Sequence, residues 1–306
     1  MKYDIIFVIL HFIAVNDTIE AIDSIKEKLS NSCNYRIVVV DNGSNDSSGQ
    51  KLLAKYCNDV CIDVIINEVN LGFSKGNNVG IRYVNENFET DFIAVINNDT
   101  MIVQSDFFDI IITEYRQSKF GILGPMVLTA DGMNSSSPVF HAPTTYNSIE
   151  KNLKREKKLY LLEKIYLQEI YVLINKIISR FFSRKNSREV YNYDNRFEDV
   201  VLHGCCLIFS KDFFKYFSGF DEATFLYHEE EILYLKAKSV GLKMVYNPLL
   251  KIYHKEDMAS NAMLPAGHTK RLFKLKHCIS SSTHLLGVCE EVIKIVGAND
   301  EKEHRK

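Results

Sequence analysis

Val38-Val39-Val40-Asp41-Asn42-Gly43-Ser44-Asn45-Asp46 reads as a β-branched run closing in an acidic, glycine-containing turn. A carboxylate at such a strand end can accept hydrogen bonds from a base imide N–H or a ribose hydroxyl. The Gly/Ser/Asn turn lets backbone come close to a ligand. A plain Asx turn is the competing reading of the same letters.

On either side of this stretch the text alternates short β-branched runs with helical patterns. Ile5–Leu10, Arg36–Val40, Val60–Ile66 and Phe92–Ile96 read as strands. Between the first two, Asp17-Thr18-Ile19-Glu20 offers capping chemistry, and Ile19, Ile22, Ile25 and Leu29 mark one apolar helical face. A second helix is expected over Lys75–Val84. Strand, crossover helix and parallel neighbour make an α/β layer fold, in which ligands gather beyond the carboxyl ends of the strands. The loops after residues 10, 40, 66 and 96 are therefore where chemistry is expected.

The chain has 306 residues, 46% of them hydrophobic and 25% charged, which excludes disorder and low-complexity classes. A net charge of -2 argues against a surface built for nucleic acid. No uncharged apolar run reaches spanning length, and Met1 to Leu10 already carries Lys2 and Asp4, so neither signal peptide nor membrane span is expected. The seven cysteines (33, 57, 61, 205, 206, 278, 289) lack paired CxxC spacing, so buried free thiols of a reducing cytoplasm are expected over disulfides or zinc.

Four segments are expected: an α/β half (1–130), a loop and helical insertion (131–199), a further sheet-containing half (200–255) and a helical tail (256–306). The insertion opens with a Ser-rich loop, Asn134 to Pro138, and continues as a long helical stretch from about Ser148 to Arg188. Residues 151–188 hold eleven basic residues and three glutamates, a surplus of eight. Their interleaved Leu, Ile, Tyr and Phe suit either an anionic leaflet or a helical hairpin packed on the protein or a dimer partner. Beyond it, Val200–Ser210, Lys243–Tyr246 and Leu250–His254 are sheet-like, Glu229–Val240 is helical with Gly241 as its stop, and a tail helix begins near Thr269.

Two further segments carry chemistry. Asn67 to Ile81, NEVNLGFSKGNNVGI, spaces Gly72, Gly76 and Gly80 by four, a pattern that suits backbone approach to a phosphate or tight helix packing. GxGxxG is absent and no glycine precedes residue 43, which excludes nicotinamide and P-loop sites. Val95-Ile96-Asn97-Asn98-Asp99-Thr100 ends the fourth strand, putting Asp99 at the same sheet edge as Asp41. One or two carboxylates suffice for a hard cation that is also bound to substrate phosphates.

Together ILHF, DNGSND, NLGFSKGNNVGI, INNDT, GCCLIFSKDFF, GFDEATFLYHEEE and YNPLLKIYH resemble the inverting family 2 glycosyltransferases, and within them the rhamnosyltransferase-type enzymes of bacterial surface polysaccharide assembly. The resemblance covers most of residues 3–255 apart from the insertion. It implies a GT-A fold, a Rossmann-like mixed sheet flanked by helices, here with the helical insertion and C-terminal tail. It implies that Asp41 reads the nucleoside, with Phe12, Asn42, Gly43, Asn70, Gly72, Lys75, Asn78 and Asn98 around the nucleotide-sugar. Asp99 stands for the last acid of the DxD metal motif, whose first position is here Asn97. With His254 it would hold Mg²⁺ or Mn²⁺. Glu230 falls where the family has its base, Glu229 is its neighbour, and Ile232 replaces a frequent further acid. His203-Gly204 and the vicinal cysteines match a small-residue segment lining the sugar and acceptor side.

The implied reaction moves a sugar from a nucleotide-sugar donor, dTDP-rhamnose or a UDP-hexose, to a glycan or polyprenyl-linked saccharide. The implied location is the cytoplasm, at the inner face of the membrane, with homodimerisation as a further expectation. A catalytically silent scaffold competes, on the strength of Asn97 and Ile232. A sugar-1-phosphate nucleotidyltransferase competes less well, because Leu10-His11-Phe12-Ile13 holds no glycine-rich loop.

Overall fold

The computed structural model describes residues 2–30, 32–129, 137–174, 192–255 and 267–303, with side chains as far as residue 295. The Asn134–Pro138 loop is described only at its last two residues, and 175–188 of the basic stretch lies outside the described residues.

Strands β1 (Lys2–His11), β2 (Tyr35–Asp41), β3 (Ile62–Ile66) and β4 (Glu89–Asn97) form a parallel block in the order β3-β2-β1-β4. Beyond β4 the sheet turns mixed. β8 (Cys206–Ser210) pairs antiparallel with β4 and with β6 (Ile122–Leu128), and β9 (Met244–His254) runs parallel to β6. The short β5 (Thr100–Ile102) and β7 (Phe197–Glu198) both pair antiparallel with β9. The result is the mixed sheet flanked by helices that the sequence implied.

Side-chain alternation divides the core. Ile5, Phe7 and Ile9 join Ile37, Val39, Ala94 and Ile96 on the face covered by α1 (Val15–Leu29), α2 (Ser48–Tyr56) and α4 (Phe107–Ser118). Ile6, Val8, Val38, Val40, Ile93 and Val95 face α3 (Gly72–Asn87) and α6 (Glu229–Ser239). Both faces are covered, so the parallel strands are apolar throughout rather than alternating with polar residues.

Gly80 settles the glycine spacing in favour of packing: a Cβ there would lie 2.4 Å from Val8 Cγ1, and one at Gly76 2.7 Å from Leu10 Cδ1. Gly72 instead serves a turn, at φ +81.

Several local expectations change in the tertiary setting. α1 starts at Val15 with Ala14 as an uncapped N-terminus, because Asp17 is drawn to Lys255 (2.7 Å) and Thr18 to His11 (2.7 Å). The long basic helix is interrupted. α5 (Tyr146–Lys164), capped by Thr145 and Ser148, stops at Tyr166, where φ is +59, and helix resumes over residues 168–174. α5 packs along the tail helix α7 (His268–Glu303), and both meet α6 in a cluster of Ile149, Ile232, Leu235, Leu285, Val288 and Val292. The two strands expected over 243–254 are one, since an irregularity opposite Pro125/Met126 absorbs the extra residues around Pro248. Over 200–210 only Cys206–Ser210 is strand. α6 ends as expected at Gly241, φ +72.

Replacing Gly80 by Ala should destabilise the fold by about 1–3 kcal/mol, since the new methyl meets branched side chains of two buried strands. The urea midpoint measures this, and an unchanged midpoint would mean that α3 can lift off the sheet freely.

Candidate active site

The carboxyl ends of β1, β2 and β4 lie level, with His11 opposite Asp41 and Leu10 opposite Asn97. Asp41 is fully buried. Its Oδ1 accepts from Ser44 N–H (3.1 Å), while its Oδ2 has no hydrogen-bond partner and lies where a Cβ on Gly49 would stand 1.9 Å away. Gly49 is thus the residue that admits this carboxylate. Ile13, held at φ +65, donates its N–H to Ser44 Oγ (2.9 Å) and ties the first loop to the second. Positive φ in a β-branched residue is strained backbone, which concentrates at functional loops.

Of the residues implied for the nucleotide-sugar, the asparagines hold the loops together. Asn42 donates to Asn70 Oδ1 (3.1 Å) and Gly72 O (3.0 Å) and accepts from Leu71 N–H (3.0 Å). Asn70 Oδ1 also accepts from Gly72 N–H. Asn78 grips the 220–222 loop through Phe220 and Glu222, and Asn98 donates to Thr18 Oγ1 (3.2 Å). Gly43, at φ +73, lies against Val69 and Asn70. Phe12 is half-buried and Lys75 exposed. His11 joins these pins, bonding Thr18 through Nδ1 and Ser48 through Nε2 (2.7 and 2.8 Å), and burial lowers its basicity.

Past β4 the chain turns into β5, whose pairing with β9 sets Thr100 opposite His254. Asp99 Oδ1 therefore lies 3.1 Å from His254 Nε2, both residues buried, and His254 Nδ1 has no partner. Among the described residues no three acids, histidines or cysteines gather as a metal-binding group. The ring of His203 stands beside His254, centroids 5.7 Å apart. Burial, then His254, lowers its pKa to about 4. Cys205 N–H donates to His203 Nδ1 (3.2 Å), so the ring proton belongs on Nε2.

The same loop receives the acidic pair. Gly204 N–H donates to Glu230 Oε1 (3.1 Å), and a Cβ at 204 would be 2.5 Å from that oxygen. Burial, then the neighbouring Glu231, raises Glu230 to about 7. Glu229 is more deeply buried, its Oε1 has no partner, and burial followed by Glu230 raises it too. Glu230 is the half-buried member of the pair. Ile232, 1% exposed, packs against α5 and α7, so its apolar character is a packing requirement. Cys205 and Cys206 are buried, and burial pushes both thiols up. All seven cysteines are free, although Cys57 is exposed and Cys33, Cys61 and Cys278 are half-buried.

The structure thus brings Asp99, His254, His203 and Glu230 around one short loop, and Asp41 and Phe12 to the adjoining sheet edge. No local signal in the sequence set His203 beside His254, since that contact depends on β8 lying beside β4 and β9 alongside β5 and β6. His228, Glu156 and Ser282, hydrogen-bonded behind the acidic pair, had no local signal either.

Residues 7–216 match the family model described as Glycosyl transferase family 2. That range includes Asp41, Asp99 and His203 and ends before Glu229. Low-salt glycan biosynthesis hexosyltransferase Agl10 of Haloferax volcanii is 23% identical over 193 residues, 63% of this chain and 50% of that protein, so the chain spans half its length. Among solved structures, mannosyltransferase PcManGT from Pyrobaculum calidifontis, in complex with GDP-Man and Mn²⁺, aligns over 97% of this chain and 76% of its own (TM-score 0.51, 10% identity). GalNAc-T7 with UDP, GalNAc and Mn²⁺ aligns over 89% of this chain and 47% of its own (TM-score 0.56, 11% identity). At these identities the likeness is one of fold, and the fold is GT-A.

A carboxyl group whose proton affinity is higher folded than unfolded lowers stability as pH rises between the two values, because the unfolded chain ionises first. For Glu230 that window runs from its ordinary 4.5 up to about 7. Glu230→Gln should therefore flatten the fall in stability between pH 5 and 7.5 and gain ~1–3 kcal/mol at the upper end. Urea denaturation at several pH values tests this, and parallel wild-type and variant curves would contradict the raised affinity.

Proposed function

Because this chain belongs to glycosyl transferase family 2, we propose that it transfers a sugar from a nucleotide-sugar donor to a saccharide acceptor with inversion, Glu230 serving as base. The observation that carries this reading is a carboxylate of raised proton affinity, held by Gly204 N–H one loop away from Asp99 and His254. A general base works best when its pKa lies near the working pH. Glu230 would take the acceptor hydroxyl's proton as that oxygen attacks the anomeric carbon from the face opposite the departing diphosphate.

Asp41 offers its unpaired oxygen to a nucleoside imide or hydroxyl, with Phe12 beside the base. Asp99 and His254 suit Mg²⁺ or Mn²⁺: one carboxylate and one imidazole with an unpartnered buried nitrogen, to be completed by diphosphate oxygens and water. Such a cation, when bound, supplies charge neutralisation for the leaving diphosphate. His203, its proton on Nε2, adds a neutral hydrogen-bond donor beside His254. The preferred donor is dTDP-rhamnose or a UDP-hexose.

A polyprenyl-linked acceptor at the inner face of the membrane is favoured by the surface of α5. Glu156 and Glu163 point inward, while Lys151, Lys154, Arg155, Lys157, Lys158 and Lys164 are exposed. Beside them Leu161, Ile165, Tyr166, Ile170 and Leu173 are exposed as well. No helix among the described residues is long and apolar enough to cross a membrane, so the contact would be peripheral.

Glu230→Gln should retain donor affinity and lose transfer about 100-fold or more, and Glu229→Gln should lose less. Full transfer by Glu230→Gln would assign the base elsewhere. The α5 surface should bind vesicles containing anionic lipid, more weakly as salt rises. Changing Lys154, Arg155, Lys157 and Lys158 to Gln should release the protein while hydrolysis of the donor persists. Vesicle binding that ignores both salt and these changes would favour a dimer contact for this face.

A further inference from the structure

Three helices from distant parts of the chain converge on the turn that precedes the acidic pair. Tyr227 and His228 are consecutive non-glycine residues in left-handed backbone, at φ +73 and +66, and His228 is the residue from which α6 starts. Its Nδ1 lies 3.0 Å from Glu231 Oε1, and its Nε2 lies 2.9 Å from Ser282 Oγ of α7 and 3.6 Å from Glu156 Oε1 of α5. The Ser282 hydroxyl has a single proton, and it is donated to Glu156 Oε2 (2.7 Å). Ser282 Oγ must therefore accept from His228 Nε2–H. Nδ1 faces a carboxylate and must donate as well, so both ring nitrogens carry protons and the ring is an imidazolium. The side chains of His228, Glu156 and Glu231 are only 11–12% exposed, so this charge lies inside the protein.

We propose that His228 is a positioning residue for Glu230: a buried imidazolium, gripped by α5 and α7, that fixes the first turn of α6 and supplies the positive charge against which Glu230 ionises. The proposal rests on Glu230 being the base. Three glutamates stand on α6 and a fourth, Glu156, faces them from α5. From α7, Cys278 approaches as a half-buried thiol, and Lys274 lies over the Tyr227 ring (5.7 Å). From the loop before β8, Cys205 is also a buried thiol. His228 is the cation that favours ionisation of both Glu229 and Glu230, and its own pKa is raised to about 10 despite burial, by Glu156 and Glu231. The insertion and the tail thereby become parts of the catalytic apparatus through Glu156 and Ser282.

Two measurements test this. In protein labelled with ¹⁵N-histidine, the His228 ring nitrogens, assigned by comparison with His228→Asn, should both be protonated at pH 7.5. A neutral ring would overturn the proposal without any appeal to a variant's activity. In transfer assays, His228→Asn tolerates the left-handed backbone but lacks the charge. It should move the acidic limb of the pH–rate profile up by about one unit, so that the rate falls about fivefold at pH 7, approaching tenfold at lower pH, and recovers at higher pH, with donor KM unchanged. His228→Lys, which keeps the charge, should leave the limb near its wild-type position. Equal losses at every pH in both variants would reduce His228 to a packing element. Full transfer by Glu230→Gln alongside a protonated His228 ring would overturn the base assignment, and the positioning role with it, while the ring's charge state stood.

Discussion

The hydrogen bond from Gly204 N–H to the Glu230 carboxylate joins the two halves of the site. It demands a residue without a Cβ at 204, since the oxygen lies within 2.5 Å of where that atom would be. It also demands that the loop before β8 be held still. That is done from the other side, where Cys205 O accepts from Asn97 N–H (3.0 Å) and from Thr100 Oγ1 (3.3 Å), on either flank of Asp99. Residues 203 to 205 thus touch the Asp99–His254 pair through His203, the β4 end through Cys205, and the proposed base through Gly204. A shift in this loop would disturb all three, which ties the proposed diphosphate end of the site to its acceptor end.

Rigidity at the proposed nucleotide side comes from satisfied amides. Asn42, Asn70, Asn78 and Asn98 spend their hydrogen-bonding groups on neighbouring loops, as does His11. Each is largely or wholly buried or sits in a part-buried network, where an unpaired amide would be costly. The strain stored at Ile13, Tyr227 and His228 lies in the loops these networks brace. Two of the buried atoms without hydrogen-bond partners among the described residues, Asp41 Oδ2 and His254 Nδ1, are at positions where the family reading needs hydrogen-bonding or ligating capacity.

Behind the acidic pair the fold concentrates negative charge and answers it with one ring. Burial alone favours the protonated form of each glutamate, and their mutual repulsion adds to it. The imidazolium of His228 works against both effects, and helices α5 and α7 keep it in register through Glu156 and Ser282. The segment that begins as an insertion in the sequence is in this sense a brace, with Glu156 and Glu163 of α5 turned inward and its lysines and Arg155 outward.

The α/β character, the strand ends that carry Asp41 and Asp99, the stop of α6 at Gly241 and the acidic run at 229–231 were all legible in the sequence. Each is written in neighbouring letters: β-branched runs, turn residues, or a motif within ten positions. What the letters left open was decided by partners far away in the chain. Asp17 and Thr18 read as a helix cap yet serve Lys255 and His11, and Gly76 and Gly80 pack on side chains of β1 and β2, far earlier in the chain. His203 meets His254 only because β8 enters the sheet beside β4 and β9 lies alongside β5 and β6. The proton affinity of Glu230 depends on burial by the whole fold, and the charge of His228 on residues 72 positions before it and 54 after it, Glu156 and Ser282. Spacing along a chain determines which face of an element a residue occupies, but desolvation and hydrogen-bond partnership are properties of what the completed fold sets against that face.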